Sequence, residues 1–249
     1  MATVQSDRGR VVLFEDFCKS YPIAGTDAGA VPFGDFMVVG QGIAETDSGI
    51  VSLAADGLSG IGQFTTTDED IHAMGIQTGA IFDVAKCAPI VLECRVRFAV
   101  ITTGEFFFGL SDVFTDLAII EGAIFHGNTV TITNSASDGC GFLLSSELTN
   151  SDEWHYVYNG GTTTAQTVST SAELDVDVVA GDFQILRLEI DPNGTVRWYI
   201  DGVLKKTVVG AVSTTTDMCL SCLVESKTTA VKTADVDYVY ASCSRDWTV

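Results

Sequence analysis

The chain has 249 residues, of which 46% are hydrophobic and 18% charged, an ordered globular composition long enough to bury a core without disulfide or metal staples. Its 33 acidic residues against 13 lysines and arginines leave a formal net charge of −20; a surface of that sign repels phosphate backbones and anionic membranes, so neither nucleic acid nor membrane is expected as a partner. No apolar run approaches the roughly 18 residues that a helical membrane span requires.

From the N-terminus, residues 1–10 are polar and include Arg8 and Arg10. They contain no apolar signal-peptide core, so synthesis in the cytoplasm is expected. They are read as an arm, followed by one sandwich domain over 11–243 and a short tail over 244–249 that contains Trp247. Residues 18–60 are rich in Gly, Ala and Asp and predict long loops with a few short strands. Elsewhere apolar and polar residues alternate with a period of two, as half-buried strands require. Strands are expected at 11–17, 90–101, 106–110, 117–125, 129–133, 141–144, 154–158, 183–190, 196–200, 203–209, 218–224 and 236–243.

The clearest stretch is 183–209. Leu186, Leu188 and Ile190 alternate with Arg187 and Glu189, and Asp191-Pro192-Asn193-Gly194 supplies a turn. Val196, Trp198 and Ile200 restore the apolar face before Asp201-Gly202, a two-residue hairpin signal. Many short strands of this kind predict an all-β, two-sheet antiparallel sandwich. Seven cysteines, Cys18, Cys87, Cys94, Cys140, Cys219, Cys222 and Cys243, make an odd count. That count and the cytoplasmic origin predict reduced thiols serving as small buried packing residues.

The segment from Leu188 to Val203, with its strand, turn and Trp198-Tyr199-Ile200-Asp201-Gly202 hairpin, resembles laminin G-like and concanavalin A-like jelly rolls. Three further pieces resemble a narrower group. They are Phe98 through Phe108-Gly109-Leu110-Ser111-Asp112; Asp138-Gly139-Cys140-Gly141-Phe142-Leu143-Leu144 with the later Trp154-His155; and Asp235-Val236-Asp237-Tyr238-Val239-Tyr240. Their order over roughly residues 85–243 is similar to that of tailed-phage virion proteins with a laminin G-like domain. The resemblance implies a non-enzymatic virion protein, such as a bacteriophage capsid decoration protein, made in the host cytoplasm.

Several constellations invite chemistry. Glu189 and Asp191 lie on one strand face, as in the Glu-x-Asp-x-Glu strand of sandwich glycosidases. The position of the second Glu holds Asn193, inside the turn, and Asp191 reads as a turn former, so no hydrolytic pair is expected. His72, His126 and His155 are scattered, and no zinc spacing appears. Cys219 and Cys222 point to opposite faces of a strand and read as packing residues. Calcium is a candidate ligand at Asp68-Glu69-Asp70, at Asp112 with Asp116, or at Asp152-Glu153, although none has an ordered ligand series. Trp154, Tyr156, Tyr158 and Tyr199 are candidates to stack on sugars; the first three share one face, which reads as core, as a subunit interface or as a glycan-stacking face.

Two functions therefore compete. One is assembly on a capsid, with the major capsid protein or other virion proteins as partners, and a homo-oligomer, a trimer by analogy, anchored by Arg8, Arg10 and Trp247. The alternative is a lectin-like, glycan-binding module of a phage fibre or a cell surface.

Overall fold

In the computed structural model, residues 9–18, 23–24, 31–40, 49–52, 60–115 and 119–246 are described. The alternating start forms β1 (Arg10–Glu15). The Gly- and Asp-rich stretch after it yields short pieces: β2 (Ile23–Ala24), β3 (Val31–Phe33), β4 (Phe36–Val39), β5 (Gly49–Ser52) and β6 (Gly62–Thr65). Then come β7 (Ala73–Gln77), β8 (Phe82–Asp83) and one helical turn, α1 (Val84–Cys87), capped by the Asp83 carboxylate, which accepts from the Lys86 N–H at 3.0 Å. The longer strands follow: β9 (Ile90–Arg97), β10 (Gly104–Ser111), β11 (Phe125–Asn128), β12 (Thr131–Asn134), β13 (Gly139–Ser145) and β14 (Glu153–Asn159). A turn, α2 (Ser169–Ala172), precedes β15 (Glu173–Asp177), and the chain ends on β16 (Gln184–Ile190), β17 (Val196–Ile200), β18 (Val203–Val208), β19 (Asp217–Ser226) and β20 (Thr233–Ser244).

These strands form two nine-stranded antiparallel sheets and a separate two-stranded one, β11 with β12. The first runs β18-β17-β16-β9-β20-β6-β5-β2, with β1 beside β20; the second runs β15-β14-β13-β10-β19-β7-β4-β3, with β8 beside β19. The expected meander is there: β16, β17 and β18 pair in sequence. Asp201 and Gly202, at φ 50° and 77°, take the left-handed pair of conformations that a two-residue hairpin demands. The inward faces of the two sheets meet in one apolar core. Trp198 of the first sheet donates its Nε1–H to the Gly141 carbonyl of the second at 2.8 Å. Trp154 is ringed by Phe98, Phe106 and Phe142 at 6.1, 5.9 and 6.2 Å.

The second sheet is buried on its outer face as well. Every residue of β10 and β13 is buried, so these strands read as continuous apolar runs instead of alternating ones. Residues 119–136, carrying the β11–β12 hairpin, lie across this face and bury Ile120, Ile124, Phe125 and Ile132. This corrects the strand expected at 117–125. Its described part before Phe125 is a turn, closed by the Ile124 N–H on the Ile120 carbonyl at 3.1 Å. The apolar residues there press onto a sheet without pairing in one. The strand expected at 129–133 begins two residues late, because Thr129 sits at φ 57° and bends the chain.

Six of the cysteines are buried and Cys18 is exposed. Burial raises the Cys140 and Cys94 thiols, and a thiol held protonated is a poor nucleophile. In β19, Cys219 and Cys222 do face opposite sides: Cys219 donates to the Ser111 and Val113 carbonyls, and Cys222 sits in the core cluster. A thiol reagent should therefore modify one cysteine of the native protein quickly and the other six only on unfolding. Several fast-reacting thiols in the native state would contradict this packing.

Candidate functional site

The outer face of the first sheet is open. On it, β1 lies antiparallel to β20 with Phe14 opposite Tyr240. A bulge in β20 between Val236 and Tyr238 adds one residue against β9, and such a bulge re-aims side chains. Asp237 and Tyr238 both serve this face as a result: Asp237 pairs with Arg95 at 2.6 Å, and Tyr238 donates its hydroxyl to Glu93 at 2.7 Å. Phe14, Tyr238 and Tyr240, with Glu93 and Arg187, line a shallow depression of about 410 Å³. Phe14 is 49% exposed, and its ring lies 6.3 Å from that of Tyr238.

The polar groups of this shelf are fixed by one another. Arg187 bridges Glu93 at 3.1 Å and Glu189 at 2.8 Å. The second oxygen of Glu189 accepts from the Tyr199 hydroxyl at 3.1 Å. Arg197 pairs with Asp191 at 2.7 Å and Arg97 with Asp235 at 2.9 Å. Arg95 and Arg97 also stand over the Phe183 ring at 4.1 and 4.6 Å, holding their guanidinium planes in place. Burial, then the hydrogen bond to Glu93, raises the Tyr238 hydroxyl, which keeps it a neutral donor. The result is a flat array of aromatic rings with donors and acceptors at fixed spacing, on rigid strands.

Of the three readings open for Trp154, Tyr156 and Tyr158, the structure selects the core. Trp154, Tyr156 and Tyr158 do share a face, but it is the inner one. They are 0%, 3% and 5% exposed, and their polar atoms bond Gln184, Ser171 and Thr164. They leave nothing for a sugar or a second subunit to touch. The aromatic residues accessible on the shelf are Tyr199, and Phe14, Tyr238 and Tyr240 in the segments 11–17 and 235–240, whose alternation was visible but whose outward face was not singled out. Arg8 and Trp247 lie outside the described residues. Arg10 is in β1, not in an arm, and donates to Ser242 of its own chain at 2.8 Å.

Glu189 and Asp191 are on the shelf, each engaged by an arginine. Asp191 does not cap its turn; Asn193 does so, accepting from the Thr195 N–H at 3.1 Å. Of the calcium candidates, Asp116 is outside the described residues. Glu69 lies 3.7 Å from His72, and Glu153 of the Asp152-Glu153 pair meets Glu173 and Asp175 with ligand atoms within 4.8 Å of one another. Those three carboxylates are the group among the described residues that could hold a cation.

A second cluster of carboxylates lies beneath residues 119–136. Glu105 and Glu225 are directly opposite on β10 and β19 and fully buried. Glu225 accepts from the Ile120 and Glu121 N–H groups at 2.6 and 3.1 Å, and Glu105 from Gly127 at 3.0 Å and from the Ser145 hydroxyl. The Lys227 ammonium is bonded to Glu121 and stands 3.1 Å from Glu147, 3.8 Å from Glu225 and 4.0 Å from Glu105. Desolvation raises Glu105 to about 7 and Glu225 to about 9, with Glu105 adding to the rise of Glu225. These groups fasten the covering segment to the sheet; Glu105, Glu225 and Lys227 are closed to solvent, while Glu121 and Glu147 reach it at the edge of the cluster.

No protein-family model matches the chain, and no curated protein matches it in sequence. Solved structures match it in fold. A protein of unknown function from Shewanella oneidensis MR-1 superposes with a TM-score of 0.59 at 10% identity, covering 97% of this chain and 89% of that one. A prokaryotic β-1,3-1,4-glucanase (lichenase) from a mouse hindgut metagenome gives 0.52 at 12% identity over 95% and 99%. The carbohydrate recognition domain of Emp46p, in a tyrosine-to-phenylalanine mutant form, gives 0.51 at 12% over 93% and 98%. The architecture is the concanavalin A-like jelly-roll sandwich.

Proposed function

We propose that the protein is a lectin-like, glycan-binding module that holds its ligand on the outer shelf of the first sheet. One observation carries this: an open depression floored by Phe14, Tyr238 and Tyr240 and edged by the Glu93–Arg187 pair. Sugar rings present C–H faces that pack on aromatic rings, and hydroxyls that need a donor and an acceptor together. The likeness in fold to a carbohydrate recognition domain and to a glucanase supports the reading. Binding is favoured over hydrolysis because the shelf carboxylates are already bridged by arginines, whereas a glycosidase needs one that gives up a proton beside another. A fibre or a cell surface would both suit such a module.

Glycan-array screening followed by calorimetry tests it. Tyr240→Ala and Arg187→Ala should each weaken the best glycan by about tenfold, roughly 1.4 kcal/mol, with far-ultraviolet dichroism unchanged. Affinity unaltered in both variants would place the ligand elsewhere.

A further inference from the structure

The shelf also indicates which glycans it takes. Resting on the reading above, we infer that its ligand is a neutral oligosaccharide, carrying hydroxyls and no carboxylate or sulfate, laid across the strands.

The first argument is charge. The protein is strongly acidic, yet this face carries a row of arginines, which alone would suggest an anionic ligand. Each is already matched: Arg187 to Glu93 and Glu189, Arg197 to Asp191, Arg95 to Asp237 and Arg97 to Asp235. Arg10, at the end of β1, is engaged with Ser242. An anionic sugar would have to displace a protein carboxylate from a hydrogen-bonded pair, and that exchange gains no net contact. It would also approach through the repulsive field of the whole chain.

The second argument is hydrogen-bond complementarity. A guanidinium and a carboxylate side by side offer donors next to acceptors. Two neighbouring sugar hydroxyls use such a pair without breaking it, one accepting from Arg187 while the other donates to Glu93. Both side chains retain exposure for this, 35% and 24%.

The third argument is extent. From Phe14 on β1 to Tyr199 on β17 the face crosses β20, β9 and β16. Four strand spacings make about 19 Å, room for several linked rings, with aromatic side chains at both ends and paired polar groups between.

The experiment is a panel of neutral oligosaccharides and of sialylated, uronate and sulfated ones, titrated into the full chain at about 50 and 500 mM salt. Neutral glycans should bind, longer ones more tightly, with affinity shifting less than about twofold between the two salt concentrations. Binding confined to the acidic glycans, or lost at high salt, would overturn the inference and leave the glycan-binding reading standing. Binding of no glycan at all would overturn that reading as well. A Tyr199→Ala variant reports the extent: it should weaken long oligosaccharides and spare short ones. An equal loss for both would refute the extended footprint.

Discussion

Raising the pH from about 5 to 9 should lower the protein's stability by several kcal/mol. The cause is the cluster under residues 119–136. Glu225 and Glu105 face Lys227 just beyond β19, Glu121 on the covering segment and Glu147 in the turn after β13, and Asp70 adds its field. Glu105 and Glu225 are desolvated and lie side by side, and one ammonium does not offset that, so the folded state keeps protons that the unfolded chain releases near the ordinary glutamate value of 4.5. Both folded-state values are raised, to about 7 and about 9. The stabilisation is therefore complete below the unfolded value and is lost as pH climbs through the folded ones. His155 acts in the opposite sense at the acid end. Desolvation lowers it to about 4, so its contribution is present above 6.5 and falls away as pH drops toward 4. The optimum should lie on the acid side of neutrality. Urea midpoints across this range measure it. Glu225→Gln should flatten the alkaline limb and equal or exceed the native protein at pH 8, since the new amide can donate to Glu105 Oε2, which has no hydrogen-bond donor in the native site. A flat native profile from pH 6 to 9, or a Gln variant markedly weaker at pH 8, would refute this account.

Trp198→Ala should cost about 4 kcal/mol, as large-to-small changes in a packed core do. The ring is fully buried, and Tyr156 meets it edge-on at 5.5 Å. Its indole N–H is a polar tie between the two sheets. Trp198→Phe separates the two effects. It keeps most of the apolar volume but removes the hydrogen bond to the Gly141 carbonyl, for about 0.5–1.5 kcal/mol. Urea unfolding of the three proteins would test both, and a Phe variant as stable as the native protein would show that the tie contributes nothing.

The Trp198 strand is also where the sequence was most legible. Residues 183–209 show alternation, a Pro-Asn-Gly turn and an Asp-Gly hairpin, and each local signal agrees with the meander that forms. Legibility fell wherever burial did not follow strand period. β10 and β13 are buried on both faces because residues 119–136 cover one of them, and the isoleucine-rich turn at the start of that segment looks like a strand in sequence. Among 18–60 the short strands expected agree with the described pieces, and the long loops expected between them lie outside the described residues. The shelf was hidden for another reason. Alternation tells which residues share a face but not which face is inward, so Trp154, Tyr156 and Tyr158 looked as available as Tyr238 and Tyr240. The β20 bulge then shifts the period by one, a change that no local motif announces.

The pairing of β1 with β20 has a kinetic meaning. Phe14 and Tyr240 come from opposite ends of the chain and meet directly across the ladder. Joining them requires closure of the long loop between residues 14 and 240, the kind of non-local contact that slows folding. The depression exists only once that closure has happened, because Phe14 comes from one end, Tyr238 and Tyr240 from the other, and Glu93 and Arg187 from between. A bound ligand would thus act as a clasp on the last and most distant pairing, and no excised fragment, not even the β16–β18 meander, would contain the whole site.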